Sequence, residues 1–330
     1  MVNKSRTCLK RFVLIAAASL LAAAALASCT SPELGDAEEA ALRIALVAPV
    51  HASEQGDAMR LGAEAAVKEF GAELEYISFE PDEDAIEQLQ AALAIVENGA
   101  SAVLIDPADE RVLTELAGRA SAKGTPIVTL NDERTAKGVL TSVSADNEKA
   151  GRQAGEAMAE LLGGSGNVAI IRSDRSDPDL ERREAGARAV LEEYAGIQIT
   201  DSAACGNLRD ACWQAAKQLL DHARLDGVLA LEASASLGLS DEVRRRGEQG
   251  KLKIVTFGSE MDQLELLQEG VLHQLVVLNA FSTGYLGVKQ AVALLSGERV
   301  DKSILLETNV IDADNMFWMN NQKTLFPFVK

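Results

Sequence analysis

Short apolar runs in this sequence are repeatedly followed by polar or charged side chains. The residues concerned are His51, Glu54, Gln55, Asp106, Asn131, Asp132, Asp174, Glu232, Ser259, Glu260 and Asn279. Most of them carry planar carboxylate or amide groups, which can form paired hydrogen bonds to neighbouring hydroxyl groups of a small molecule. The pattern therefore points to recognition of a polar ligand where strands end.

Catalysis by the same residues has less support. His51 and Glu54 could form an acid–base pair, but a polar contact at a strand end is the simpler interpretation. The segment Ala48–Asp57 is not a glycine-rich phosphate loop, and the chain contains no Gly-x-Ser-x-Gly elbow. The cysteines and histidines lack zinc spacing. We expect no catalytic residue, metal or cofactor, with a hydrolase or isomerase on an α/β scaffold as the weaker alternative.

The elements that would position these residues alternate regularly. From Arg43 onward, short β-branched apolar runs are followed by longer amphipathic stretches, such as Glu54 to Phe70. Continuously apolar strands are typical of parallel sheets that helices cover on both faces. The number of units suits two lobes of about five or six strands each, and a closed eight-fold barrel is the competing topology.

The N-terminus has the parts of a secretion signal. A basic start precedes the apolar run Phe12–Ala27, which is followed by Leu-Ala-Ser-Cys. The run is too short for a convincing membrane span, which needs roughly 20 apolar residues. We predict a signal peptide over residues 1–28, lipidation of Cys29, a tether over 29–42 and a location outside the cytoplasm. The other interpretation is an ordinary cleaved signal with a chance cysteine.

Charge and cysteine content add two expectations. The chain carries 32 basic and 50 acidic residues, a net charge of −18. Such an acidic surface repels phosphate backbones, so we expect no nucleic-acid partner. Beyond the signal and Cys29, Cys205 and Cys212 remain, seven residues apart. They form either a local disulfide or a pair of free thiols.

Several segments resemble the type I periplasmic sugar-binding proteins, the ribose- and galactose-binding group that shares its core with LacI-type repressors. These segments are Ser101–Leu130, Ser144–Gly155, the Arg-Arg-Glu-Ala-Gly run Arg182–Gly186, and Gly284–Glu298. The resemblance implies an α/β fold of two doubly wound parallel-sheet lobes joined by a three-segment hinge. It implies an N-terminal lobe of 43–144 plus 279–307 and a C-terminal lobe of 145–278 plus 308–330.

The resemblance also implies a ligand site in the cleft between the lobes. Arg183 stands where the family has a ligand-binding arginine, and Asn131 where it usually has an aspartate. Gln55, Gly258 and Leu278 depart from the usual sugar contacts, and the aromatic rings that would stack on a sugar are few. We therefore expect a sugar or sugar-like ligand. A smaller, less ring-like or cationic ligand, or reduced binding, is the alternative.

The resemblance further implies partners. An extracytoplasmic, lipid-anchored monomer of this kind would deliver its ligand to the permease of an ABC importer. A sensory receptor of the same fold, which presents the ligand to a signalling partner in the membrane, is the alternative. No DNA-binding head precedes Arg43, which argues against a repressor.

Overall fold

The computed structural model describes residues 41–49, 54–79, 85–134, 136–173, 177–206, 208–222 and 224–327. The strands are β1 Arg43–Pro49, β2 Glu73–Phe79, β3 Ala102–Ile105, β4 Ile127–Leu130, β5 Val139–Ala145, β6 Ser165–Ser173, β7 Gly196–Cys205, β8 Gly227–Ala230, β9 Lys253–Phe257, β10 Gln274–Val277, β11 Ser303–Leu306 and β12 Asn309–Ile311. The helices are α1 Glu54–Phe70, α2 Ala85–Glu97, α3 Glu110–Lys123, α4 Asn147–Leu161, α5 Pro178–Leu191, α6 Arg209–His222, α7 Ala233–Arg246, α8 Met261–Gln268, α9 Ala280–Leu295 and α10 Met319–Leu325.

The strands form two separate open sheets. The first has the order β11-β5-β4-β3-β1-β2 and is parallel throughout, and the second has the order β12-β10-β9-β8-β6-β7. Only β12 runs antiparallel to its neighbour among the described strands of the second sheet. Two open sheets confirm the predicted two-lobe α/β fold and exclude the closed barrel.

Helices cover both faces of each sheet. In the first lobe, α1 and α9 pack on one face and α2 and α3 on the other. In the second lobe, α4 and α5 cover one face, and α6, α7 and α8 the other. Burial on both sides explains why β3, β8 and residues Ile44 to Ala48 of β1 are continuously apolar, because neither face of these segments meets water.

The chain passes between the two lobes three times. β5 ends in the first sheet at Ala145, and α4 then packs against the second. β10 ends in the second sheet at Val277, and α9 then packs against the first. β11 and β12 belong to different sheets although only Glu307 and Thr308 separate them. The backbone N–H of Asp146 donates to the carbonyl of Leu306 at 3.2 Å, so the first and third crossings are hydrogen-bonded.

The structure contains a strand that the sequence did not predict, and it shows whether Cys205 and Cys212 are bonded. β5 has no predicted counterpart because its buried Ser142 and Ser144 interrupt the apolar run. Cys205 and Cys212 are joined by a disulfide that ties the end of β7 to α6. Within the described ranges, no helix combines the length and the apolar character needed to cross a membrane.

Replacement of Gly284 by alanine should destabilise the first lobe, because α1 and α9 pack there with their backbones in contact. A β-carbon at Gly284 would lie 1.9 Å from the carbonyl oxygen of Met59. We expect Gly284→Ala to lower the free energy of unfolding by about 2 kcal/mol, as overpacking does. Gly118→Ala is the matched control, since nothing lies within 4 Å of its added carbon. It should stabilise α3 by up to about 1 kcal/mol. Equal stability of the two variants in urea denaturation would contradict the close approach.

Candidate functional site

The predicted polar residues lie at the carboxyl ends of parallel strands, where open sheets of this type bind their ligands. In the first lobe, Glu54 and Gln55 begin α1, Asp106 follows β3, and Asn131 and Asp132 follow β4. In the second lobe, Glu232 follows β8, Ser259 and Glu260 follow β9, Asn279 follows β10, and Arg183 lies on α5. His51, Asp174 and Cys29 lie outside the described residues.

Direct contacts bring these two sets together across a cleft. The backbone N–H of Glu54 in the first lobe donates to Oε2 of Glu260 in the second at 3.1 Å. At another point, Nη1 of Arg182 on α5 pairs with Oε2 of Glu133 at 3.3 Å. The strand ends of the two lobes therefore face one another, with polar groups on both walls.

Arg183 is held rigidly on the second wall. Its Nε donates to Oδ1 of Asn147 at 2.8 Å, and its Nη1 donates to the carbonyl oxygen of Leu231 at 3.0 Å. The guanidinium carbon lies 4.8 Å from the ring centroid of Phe257, within cation–π range. Burial lowers the pKa of Arg183, and Asp179 opposes this effect, so the group stays charged.

One nitrogen of the fixed guanidinium, Nη2, is not bonded to the described residues. No group among the described residues accepts a hydrogen bond from Nη2 of Arg183. A planar donor whose other two nitrogens are fixed can aim its remaining N–H groups at ligand oxygens with little further loss of side-chain entropy. Arg183 thus combines charge, planarity and a defined orientation.

Asp106 and Asn131 form a polar pair on the first wall. Nδ2 of Asn131 donates to Oδ2 of Asp106 at 3.0 Å. The backbone of Asn131 has φ 50°, a left-handed conformation that asparagine tolerates better than most residues. Burial raises the pKa of Asp106 to about 7, the hydrogen bond from Asn131 opposes this, and the charge of Asp132 adds to it. Near neutral pH, Asp106 can therefore accept from a ligand hydroxyl or donate to its oxygen.

Asp132 differs from the expectation of a free ligand acceptor. Its buried carboxylate accepts from Nε of Arg134 at 2.7 and 2.9 Å and from the backbone N–H of the same residue at 2.7 Å. Nη2 of Arg134 also donates to the carbonyl oxygen of Pro107 at 3.2 Å. Asp132 therefore orients Arg134 beside the cleft. The Asp-x-Arg spacing was the available signal for this pair, and sequence reasoning missed it.

Glu232 and Ser173 lie together at the ends of two adjoining strands. The backbone N–H of Ser173 donates to Oε1 of Glu232. Ser173 is fully buried, and its hydroxyl has no hydrogen-bond partner within the described part of the chain. One carboxylate oxygen of Glu232 is thus bonded within the second lobe, and the other accepts no hydrogen bond from the described residues.

Three further predicted residues differ in how far their side chains are already hydrogen-bonded or buried. Oδ1 of Asn279 accepts from the backbone N–H of Ser282 at 3.0 Å, so this side chain caps α9 and offers only its amide nitrogen. Nε2 of Gln55 is buried without a partner among the described residues. Gln55 therefore has an unsatisfied donor where a ligand or water would bind. The third residue, Ser259, is buried, with 8% of its surface exposed.

The cleft carries more acid than base. Burial raises the pKa of Asp179 to about 7; Arg183 opposes this shift, while Asp177 and Asp132 reinforce it. In the described ranges, no group of three or more His, Cys, Asp or Glu side chains is arranged to hold a metal ion. The site as described consists of hydrogen-bonding groups with a fixed arginine.

A sequence model of the periplasmic binding protein domain matches residues 44–299 of this chain. The chain belongs to the periplasmic binding protein family. Members of this family act outside the cytoplasm, and so does this binding protein. The motif-based resemblance described above is therefore confirmed.

Several relatives of this binding protein are named for a sugar or a polyol. A D-ribose/D-allose-binding protein of Pseudomonas aeruginosa is 28% identical over 318 residues, which cover 90% of this chain and 97% of the relative. A ribose import binding protein of Bacillus subtilis is 23% identical and covers 74% and 79% of the two chains.

Solved structures share the fold over nearly their whole length. A solute-binding protein of Agrobacterium vitis, crystallised with α-D-tagatopyranose, superposes with a TM-score of 0.79 at 22% identity, covering 86% of this chain and 99% of that one. A glucose-galactose-binding protein of Geobacillus stearothermophilus gives 0.78 at 24% identity, with coverage of 84% and 99%. At these identities the likeness concerns the fold alone.

Proposed function

We propose that this binding protein captures a sugar or sugar-like polyol between its lobes and delivers it to an ABC importer. The cleft has the chemistry that vicinal hydroxyls require, namely carboxyl, amide and guanidinium groups on both walls. Relatives named for ribose, allose and xylitol support the ligand class. The lobes proposed to close on the ligand are residues 43–144 with 279–307, and 145–278 with 308–330.

Arg183 is the observation that carries this proposal. Its guanidinium is fixed by Asn147, Leu231 and Phe257, yet keeps Nη2 free among the described groups. Burial of a charged donor costs free energy unless the donor is paired, and a ligand oxygen would supply the partner. The neighbouring polar groups Asp106, Asn131 and Glu232 complete the proposed contacts.

Lipidation would explain how the protein stays near its transporter. We propose that Cys29 is acylated and holds the protein, as a monomer, on the outer face of the cell membrane. One acyl chain binds a membrane only marginally, whereas two give a stable anchor. Such an anchor would keep the loaded binding protein beside the permease.

Thermal unfolding of the full-length protein in detergent tests the ligand class. D-ribose, D-allose, D-galactose and xylitol would be compared with adenosine and spermidine. A ligand at a hundred times its Kd stabilises the folded state by about 2.7 kcal/mol. The midpoint should then rise by roughly 5 °C with at least one sugar or polyol. A clear shift with adenosine or spermidine, and none with any sugar or polyol, would refute the sugar assignment.

A further inference from the structure

Two helices of different lobes begin beside each other at the cleft. Glu54 is the first residue of α1 in the first lobe, and Glu260 directly precedes α8 in the second. The backbone N–H of Glu54 donates to Oε2 of Glu260 at 3.1 Å. The carboxyl of Glu260 therefore occupies the N-terminus of the first lobe's helix. The carboxyl of Glu54 adjoins it, close enough that each carboxyl shifts the pKa of the other.

The charged groups around this contact do not neutralise it. Besides Glu54, the charged side chain that faces Glu260 is Asp262 of α8. Asp262 is paired with Arg209 of α6 at 2.8 Å, and Arg209 is also paired with Asp241 of α7 at 2.7 Å. In the described part of the chain, no cationic side chain forms an ion pair with either Glu54 or Glu260. The other contact between the lobes, Arg182 with Glu133, joins opposite charges and needs no proton.

Two adjoining carboxyl groups with no cation between them cannot both be ionised without strong repulsion. One shared proton converts the repulsion into a hydrogen bond. Burial, reinforced by Glu54, raises the pKa of Glu260 to about 8. The hydrogen bond from Glu260 lowers the pKa of Glu54, so the proton resides on Glu260.

We propose that Glu54 and Glu260 form a proton-dependent latch between the two lobes. In the closed form the pair holds one proton, and opening of the cleft separates the carboxyls and releases that proton to water. The latch rests on the proposed function only in assigning ligand capture to this cleft. It makes closure, and with it ligand retention, weaker in alkaline surroundings.

The direction of the pH effect follows from linkage. In the open form both carboxyls are solvated and ionise near pH 4.5, whereas in the closed form Glu260 keeps its proton up to about pH 8. Between these values the closed form binds one proton more than the open form. Opening therefore becomes up to about tenfold more favourable for each pH unit, and levels off above about pH 8.

Hydrogen exchange in the full-length protein, without ligand, tests the latch. The amide of Glu54 donates to Glu260 in the latch itself, so its exchange reports the opening. Glu260→Gln is the decisive variant, because a neutral amide can accept from Glu54 N–H and donate to the Glu54 carboxylate at any pH. Comparison with the native protein at the same pH cancels the intrinsic pH dependence of amide exchange. We expect similar rates at pH 6, and at pH 9 exchange at least tenfold faster in the native protein than in Glu260→Gln.

Two further variants make the outcome decisive. Glu54→Gln removes the other acid and should behave as Glu260→Gln does. Asp262→Asn removes the smallest contribution to the raised pKa of Glu260 but leaves both latch carboxyls in place, so it should keep the faster exchange at pH 9 that the native protein shows. A native-to-variant ratio that does not change between pH 6 and pH 9 would overturn the proposal. Because no ligand is present, this outcome is independent of the sugar panel, and failure of the panel leaves the exchange result intact.

Discussion

Replacement of Arg183 by alanine should weaken ligand binding by more than 100-fold. The substitution removes the charged donor on the second wall and leaves Oδ1 of Asn147 and the carbonyl of Leu231 without their partner. Loss of one member of a buried, charged hydrogen-bonded set costs about 2–5 kcal/mol in binding. Calorimetric titration with the sugar that gives the largest thermal shift measures the effect.

Two variants separate charge from geometry at this position. Arg183→Lys keeps the positive charge but loses the planar fork, so we expect it to recover only a small part of the affinity. Arg188→Ala, on the same helix, is the matched control because Arg188 pairs with Glu184 at 2.8 Å and, within the described ranges, bonds to no cleft residue. If Arg183→Ala binds as tightly as Arg188→Ala, the guanidinium has no role in the site.

The alternation of strands and helices could be predicted because a strand that is buried on both faces appears in the sequence as a continuous apolar run. β3, β8 and the part of β1 that follows Arg43 are short runs of apolar residues with no polar member that must face water. β5 has no continuous apolar run, because the polar residue Ser144 lies within it although it is fully buried. β11 and β12 are short edge strands, of which β11 has no buried residue and β12 only Ile311, so the apolar signal of a buried strand is missing.

The candidate site was predicted less completely, because its geometry depends on contacts between distant segments. Arg183 was identified from a local motif, but its partners are distant in the chain. Asn147 lies 36 residues before it, and Phe257 lies far after it. Nothing local in the sequence links these positions. The pairing of Asp132 with Arg134 is local. The sequence alone did not distinguish it, because the same residues are compatible with a solvated turn and with a ligand contact.

One departure from the family pattern has a physical reason that the structure supplies. Gly258 stands where a strand-end aspartate was expected, and its φ is 119°, which side chains other than glycine rarely adopt. A β-carbon there would lie 2.4 Å from Oε1 of Gln263, the side chain that caps α8 through the N–H of Glu260. The glycine thus permits the tight turn that brings Glu260 to the cleft.

Asn147 should matter for affinity even though it is almost fully buried. It begins α4 directly after the first crossing between the lobes and is 1% exposed. Its Oδ1 accepts from Arg183, and its Nδ2 lies 3.5 Å from Oε1 of Glu133 and 3.4 Å from the carbonyl of Ala145. Asn147 is therefore a positioning residue that connects the crossing, the first lobe and the arginine.

We expect Asn147→Ala to weaken ligand binding by about 10- to 100-fold and to lower the free energy of unfolding by about 1–3 kcal/mol, because a buried charged donor loses its acceptor. Asn147→Asp distinguishes positioning from general stability. It restores the acceptor for Nε of Arg183 but sets a carboxylate against Glu133, so affinity should return towards the native value while stability stays reduced. Asn167→Ala, which removes a hydrogen bond to the carbonyl of Arg224 at the start of β6, should leave affinity unchanged. If the aspartate variant binds as weakly as the alanine variant, Asn147 acts through folding alone.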